Sequence, residues 1–350
     1  VHHYAQEIVA RWRTSDGEAV DVSENIQRAV GNIIWHITFG VSLEFDNPVL
    51  IKFRELQAEL LPKMGGPLMM FVELFPSLRR FDFLFGHQMR RLRQLFDGTN
   101  VYLIEGIKQC ESSFNADNRP SCYTEAFLAE KKRREEAGIP EGNFHFMQLL
   151  CSAATLWGAG FDTSVSVIRM AVLELVNNPE AQTRIQKEID DVIGARRISF
   201  EDLKLMPYTH AFLQEVYRLG NALPLNFMRK TSQAVEIDGH IIPAGTTILP
   251  QFSMVHTDPS EFERPDFFCP ERHLNDEGQF VKDPRITPFS MGKRSCLGEQ
   301  LARMEIFVML TTFVQTCTFS PIGPVPPPIE FTTGFSRQPC DFRVKIQPRN

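Results

Sequence analysis

The chain has 350 residues, 43% of them apolar and 23% charged, a globular balance sufficient for one large core or two ordinary domains. A formal net charge of −6 excludes a global attraction to nucleic acid, and no nucleic-acid motif is present. Seven cysteines, odd in number, scattered and without Cys-x-x-Cys spacing, exclude a zinc ribbon or disulfide framework and fit a reducing compartment.

In chain order, Asp21 to Gly40 (DVSENIQRAVGNIIWHITFG) carries apolar residues at helical spacing and ends on glycine, which predicts a buried helix in a helical first third. Leu61 to His87 is rich in Met, Phe, Pro and Gly; packing between helices is the expectation, contact with a membrane surface the alternative. Glu130 to Asn143 (EKKRREEAGIPEGN) reads as a solvated linker between two long helices. Phe144 to Val176 is a near-continuous apolar helical pattern that stops at Asn-Asn-Pro, as a core-crossing helix should. Ser232 to Ser253 alternates short β-prone runs with Asp-Gly and Pro-Ala-Gly turns, predicting hairpins and a small sheet. A proline-rich stretch (Ser320 to Phe331) and a strand-like end (Asp341 to Pro348) close the chain. There is no internal repeat and no uninterrupted apolar run of about 18 residues that would span a bilayer.

The segment PFSMGKRSCLGEQLARMEIFVML (Pro288 to Leu310) places Cys296 at the mouth of a helical pattern. Unsatisfied N–H groups of a helix start, with Lys293 and Arg294 nearby, favour a thiolate. Gly292 permits a tight turn and Gly298 removes a side chain, so a flat, bulky group can approach the backbone; Phe289 can screen the sulfur from water. No base is paired with Cys296 by sequence and no further zinc ligands lie at workable spacing. A haem iron needs only one protein ligand, and a thiolate there promotes O–O cleavage.

Phe289-x-x-Gly292-x-Arg294-x-Cys296-x-Gly298 resembles the haem-binding signature of the cytochrome P-450 monooxygenases, in which the cysteine is the axial ligand. Three more stretches are similar to that family in the order it requires. Ala159 to Ser164 (AGFDTS) resembles its acid–alcohol segment: Ala159 and Gly160 leave room at the haem, and Asp162 with Thr163 supplies a proton relay. Glu215-x-x-Arg218 and Pro270-Glu271-Arg272 resemble a buried structural network of Glu215, Arg218 and Arg272, with His273 standing where an aromatic residue is common. Arg229 and Arg294 match haem-propionate partners. A dinucleotide fingerprint at 158–163 fails for want of the third glycine and of a strand-to-helix turn.

The resemblance covers the whole chain and is closest to the animal microsomal class. It implies a mainly α fold with a small β region, one cytochrome P-450 domain over residues 1–350 lacking the family's anchor and first helices and strands. It further implies haem as cofactor, electrons from NADPH through NADPH-cytochrome P-450 reductase or cytochrome b5, and a lipophilic substrate. The location implied is the cytoplasmic face of the endoplasmic reticulum membrane. Expected substrate walls are Met147 to Gly160, Leu223 to Phe227 and Thr333 to Phe335, with Lys293 and Arg303 in a basic patch for the reductase. A haem-thiolate protein that does not hydroxylate and a truncated, inactive chain that holds haem poorly are the alternatives.

Overall fold

The computed structural model describes residues 1–14, 18–64, 66–224, 226–332 and 336–349, with the backbone alone at 67, 70 and 73. Helix α1 (His2–Arg13) and strand β1 (Ala19–Val20) lead into α2 (Val22–Phe39). The last starts where the Asp21 carboxylate accepts from Ser23 N–H and stops where Gly40 takes a φ of 77°, a left-handed cap that glycine adopts without strain. Helices α3 (Pro48–Met64) and α4 (Pro67–Leu74), a 3-10 stretch (Pro76–Phe85) and α5 (Gln88–Ser113) follow. Next come α6 (Tyr123–Glu136), α7 (Phe146–Asn177), α8 (Pro179–Val192) and α9 (Pro207–Gly220).

The core is built around α7. From Phe161 to Val176 every residue but Thr163 is buried, as a helix apolar on all sides demands. It packs against α2, α5, α9 and, nearer the chain's end, α11 (below). Asn178 ends it and Pro179 opens α8, the break expected at Asn-Asn-Pro.

The hairpin region forms β2 (Arg229–Lys230), β3 (Val235–Ile237), β4 (His240–Ile242) and β5 (Thr247–Ile248). The β3–β4 turn holds Asp238 and Gly239 at φ 49° and 79°, the paired left-handed residues of a tight hairpin. After α10 (Phe252–His256) and a long irregular stretch come α11 (Glu299–Thr316), β6 (Cys317–Ser320), β7 (Phe331–Thr332), β8 (Gln338–Pro339) and β9 (Val344–Pro348). Strand β9 runs antiparallel between β1 and β6. Strands β1 and β9, far apart in the sequence, therefore meet in one sheet, a pairing that local pattern does not announce.

Two expectations are corrected. The charged run is not linker throughout: α6 continues through it to Glu136, with Glu130 bound by Arg133 at 2.7 Å and Arg134 at 2.9 Å. Opposite charges three and four residues apart favour helix, and Arg134 also lies 4.5 Å over the Phe144 ring; the break comes at Gly138, φ 63°. The Leu61 to His87 segment does not pack wholly between helices either. Phe71, Phe75, Phe83 and Leu84 are 56%, 56%, 61% and 66% exposed, an apolar surface of the kind that meets another apolar phase.

Candidate functional site

The loop before α11 is closed by one backbone bond: Cys296 N–H donates to the Phe289 carbonyl at 2.8 Å. Inside it Ser290 and Gly292 take φ values of 63° and 73°, which turn the chain before the short 3-10 segment Gly292–Arg294. A β-carbon on Gly298, the residue before α11, would lie 3.9 Å from Cys296 Sγ. The sulfur therefore sits at the helix mouth, three residues ahead of the first helical position, where unpartnered N–H groups favour negative charge. Residues 291–298 are all exposed, and Leu297 is 96% so.

Phe289 acts on this loop differently from expectation. Its carbonyl reaches Cys296 N–H, while its ring packs edge-on to Tyr217 at 5.6 Å and beneath the Arg303 guanidinium at 4.7 Å. Cys296 stays exposed. Arg303, expected in a solvated basic patch, lies over both rings and binds Glu299 at 2.9 Å. Lys293 and Arg294 are exposed. Arg229 joins the loop directly, its Nη2 donating to Ser290 Oγ at 2.9 Å.

On α7 the residues Met147, Cys151, Thr155 and Ala159 are exposed, and Thr163 continues the series half-buried. Spacing of four advances about 40° per step, so they trace a stripe that winds around the helix, uncharged along its length. Thr163 Oγ1 donates to the Ala159 carbonyl at 2.6 Å, which leaves its lone pairs free toward the stripe. One residue on, Ser164 Oγ donates to Glu305 Oε2 of α11 at 3.2 Å. That bond joins α7 to α11 at Glu305, about two turns into the helix that follows the Cys296 loop.

Asp162 and Gly160 face elsewhere. Successive helix residues diverge by about 100°, and Asp162 is buried against the β8 segment. Ser336 Oγ donates to its Oδ2, and Gln338 Nε2 donates at 2.9 Å to both its Oδ1 and its backbone carbonyl. Burial raises its pKa while the bonds from Ser336 and Gln338 oppose the rise. Asp162 thus anchors α7, and only Thr163 of the expected pair lies on the stripe. A β-carbon on Gly160 would stand 2.8 Å from Ile34 Cδ1, so this glycine serves the close approach of α2.

The structural network comes together. Glu215 accepts from Arg218 Nε and Nη2 at 2.9 and 2.7 Å, from Arg272 Nε at 3.0 Å, from Cys269 N–H at 3.1 Å and from His273 Nε2 at 2.8 Å. Burial alone would raise the Glu215 pKa; the bonds from Arg218 and His273 instead hold it down to about 2. His273, noted in the sequence only as standing where an aromatic residue is common, is a further member, and its adjacency to Arg272 was the available signal. Ser336 and Gln338 carry no such signal, lying 174 and 176 residues from the side chain they hold. Of the expected substrate walls, the α7 stripe is open and Phe227 is exposed; Leu225 and Thr333 to Phe335 lie outside the described residues.

The family model described as Cytochrome P450 matches residues 1–346. The chain belongs to the cytochrome P450 family. It is 38% identical over 332 residues to "Probable cytochrome P450 CYP36A1" of Caenorhabditis elegans, covering 94% of this chain and 67% of that protein. It is 35% identical over 293 residues to "Cytochrome P450 2K6" of Danio rerio (84% and 57%) and over 326 residues to human "Cytochrome P450 2D6" (93% and 64%). The chain therefore spans roughly three-fifths to two-thirds of these relatives' length. Among the described residues no helix is long and apolar enough to cross a membrane.

The residues present fit the family's haem. The donor set is a single exposed cysteine at a helix start, the chemistry of a thiolate iron ligand. A β-carbon on Gly292 would meet nothing within 4 Å, so at that residue the loop is open to a flat partner. Arg229 and Arg294 offer guanidinium groups beside it, suited to carboxylates.

Proposed function

We propose that this chain carries the thiolate half of a haem monooxygenase that inserts one atom of dioxygen into a lipophilic organic molecule. The observation that carries the reading is Cys296, exposed at the start of α11 in a loop locked by its own N–H on Phe289. When bound, the haem supplies dioxygen activation and oxidation, chemistry that no side chain here performs. The chain's residues position and protect it. Cys296 would hold the iron, and the loop fixes the sulfur before binding, so little ordering cost remains. Arg229, tied to Ser290, and Arg294 would hold the propionates. The Thr163 hydroxyl, already half-ordered by Ala159, would accept or pass a proton on the side of α7 that the stripe leaves open. Asp162, through Ser336 and Gln338, keeps that stretch of helix in place.

Electrons would come from NADPH through a flavoprotein reductase or cytochrome b5, and the protein would work at the endoplasmic reticulum membrane, as the likeness to animal relatives supports. The exposed apolar side chains between Phe71 and Leu84 suit a membrane surface and an entry for lipophilic substrate.

The test is the difference spectrum of the reduced, carbon monoxide-bound protein. It is recorded on this chain and on the same chain preceded by the corresponding N-terminal segment of a curated relative. A long-wavelength Soret band lost in Cys296→Ser supports the reading; haem bound without that band in either protein, or a band that survives Cys296→Ser, overturns it. A band in the longer protein alone assigns the activity to the whole protein and leaves this chain as its haem-thiolate portion.

A further inference from the structure

Away from this site, Cys110 in the last turn of α5 and Cys122 at the start of α6 bring their sulfurs to 3.7 Å, both side chains buried. Neither takes part in the haem site, and the scattered spacing of the cysteines does not announce the pair. The pocket around it is tight: a β-carbon on Gly40 would stand 3.3 Å from Cys122 Cβ and 3.5 Å from its Sγ. Nearby, Thr124 Oγ1 donates to the Thr38 carbonyl at 2.8 Å. Ends of three helices, α2, α5 and α6, are thus clamped around two thiols that sit in contact.

We propose that Cys110 and Cys122 form a reversible disulfide that ties the end of α5 to the start of α6 when a peroxide reaches them. A disulfide needs a sulfur separation of about 2.0 Å, so a further approach of about 1.7 Å closes the bond. Cys122 reacts first: its Sγ accepts from Glu125 N–H at 3.4 Å, and the α6 N-terminus stabilises negative charge developing there. Burial, then the neighbouring Cys122, pushes the Cys110 thiol up to about 12, so Cys110 stays protonated and is not the sulfur that reacts first. The Cys122 sulfur attacks one peroxide oxygen and releases water, giving a sulfenic acid; the Cys110 sulfur displaces the hydroxyl as a second water. The thiol pair loses two protons and two electrons, and one hydrogen peroxide becomes two waters.

A metal ion is the competing occupant, since Cys110, Cys122 and Glu125 present donor atoms within 4.8 Å of one another. Two of the three are engaged. Glu125 Oε2 already accepts from Ser121 N–H at 2.7 Å and Ser121 Oγ at 2.8 Å, and Cys122 Sγ caps α6. Closing a disulfide breaks none of the bonds to Glu125 Oε2.

The experiment treats the folded chain with hydrogen peroxide, blocks remaining thiols with an alkylating agent and digests without reductant. Trypsin does not cut Arg119–Pro120, so Gln109 to Lys131 is one peptide holding both cysteines. The expected result is loss of two hydrogens from that peptide with no alkyl group added, and an upward Tm shift; dithiothreitol reverses both. In Cys110→Ser and Cys122→Ser the shift disappears, whereas Cys151→Ser, an exposed control, keeps it. Full alkylation of both thiols after peroxide overturns the proposal. So does a chain whose two thiols are protected by added zinc ion, without hydrogen loss, and stay reduced in peroxide.

Discussion

Replacing Glu215 by glutamine tests whether the buried network is held by charge. The change preserves shape and leaves Arg218 and Arg272 facing a neutral amide, with Arg218 wholly inaccessible. Two routes give the cost. Breaking a buried ion pair by removing one partner destabilises by about 3–5 kcal/mol. The bonds from Arg218 and His273 also hold the Glu215 pKa down to about 2 against the effect of burial, a depression worth on the order of 3 kcal/mol. The sign follows from the direction. A depressed carboxyl pKa contributes stability that is fully present above 4.5 and is lost as pH falls towards 2. The expected outcome in urea unfolding is a deficit of about 3–4 kcal/mol for Glu215→Gln at pH 7, smaller by about 1 kcal/mol at pH 3.5. A deficit below about 0.5 kcal/mol at pH 7, or one of equal size at both pH values, refutes the reasoning. The first outcome would mean that hydrogen-bonding shape alone holds the network, the second that the carboxylate is not ionised in it.

Gly160→Ala is expected to cost about 1–3 kcal/mol through overpacking on Ile34. In an Ile34→Val background, where Cδ1 is gone and the nearest remaining atom is Cγ1 at 3.4 Å, the cost should vanish or reverse, because alanine favours helix by about 1 kcal/mol; additive effects in the four-protein cycle would contradict the contact. Glu174 is buried near Glu215, and burial first, then that charge, raises its pKa to about 8. A raised carboxyl pKa means the native state keeps a proton that the unfolded chain releases near 4.5, so stability falls as pH rises from about 4.5 to 8. Glu174→Gln, which can still accept from Asn178 Nδ2, should gain on the wild type across that window, on the order of 4 kcal/mol by pH 8. Parallel stability curves would rule this out.

The geometry of the candidate site was legible in the sequence where its residues are neighbours. Phe289 to Gly298 is one loop, and its glycines, arginine and cysteine can be read together because a single turn holds them. Glu215 and Arg218 share a helix face, so their pairing is written in the spacing. Side-chain direction across long separations was not. Asp162 and Thr163 look like one functional pair, yet the helix sends them to different surfaces, and the partners that decide this lie on β8. Gly160 reads as space for a ligand and is space for Ile34. Within the fold, α2 and α7 follow from periodicity with caps at each end. The charged run hid its helix because its polar composition resembles linker, while its ion pairs at three- and four-residue spacing stabilise a helix. The apolar segment around Phe83 misled for the opposite reason: hydrophobicity reports a preference for leaving water, and the destination can lie outside the chain.

Strand β9, lodged between β1 and β6, pairs Lys345 with Ala19. A protein is synthesised from its amino end, so β1 and the adjoining α1 are made long before the strand that completes their sheet. Until then their edge is an unpaired template beside apolar helix surface, open to wrong partners. Strand β9 therefore governs when the β1 edge becomes safe, and losing it would leave β1 and β6 unpaired at once.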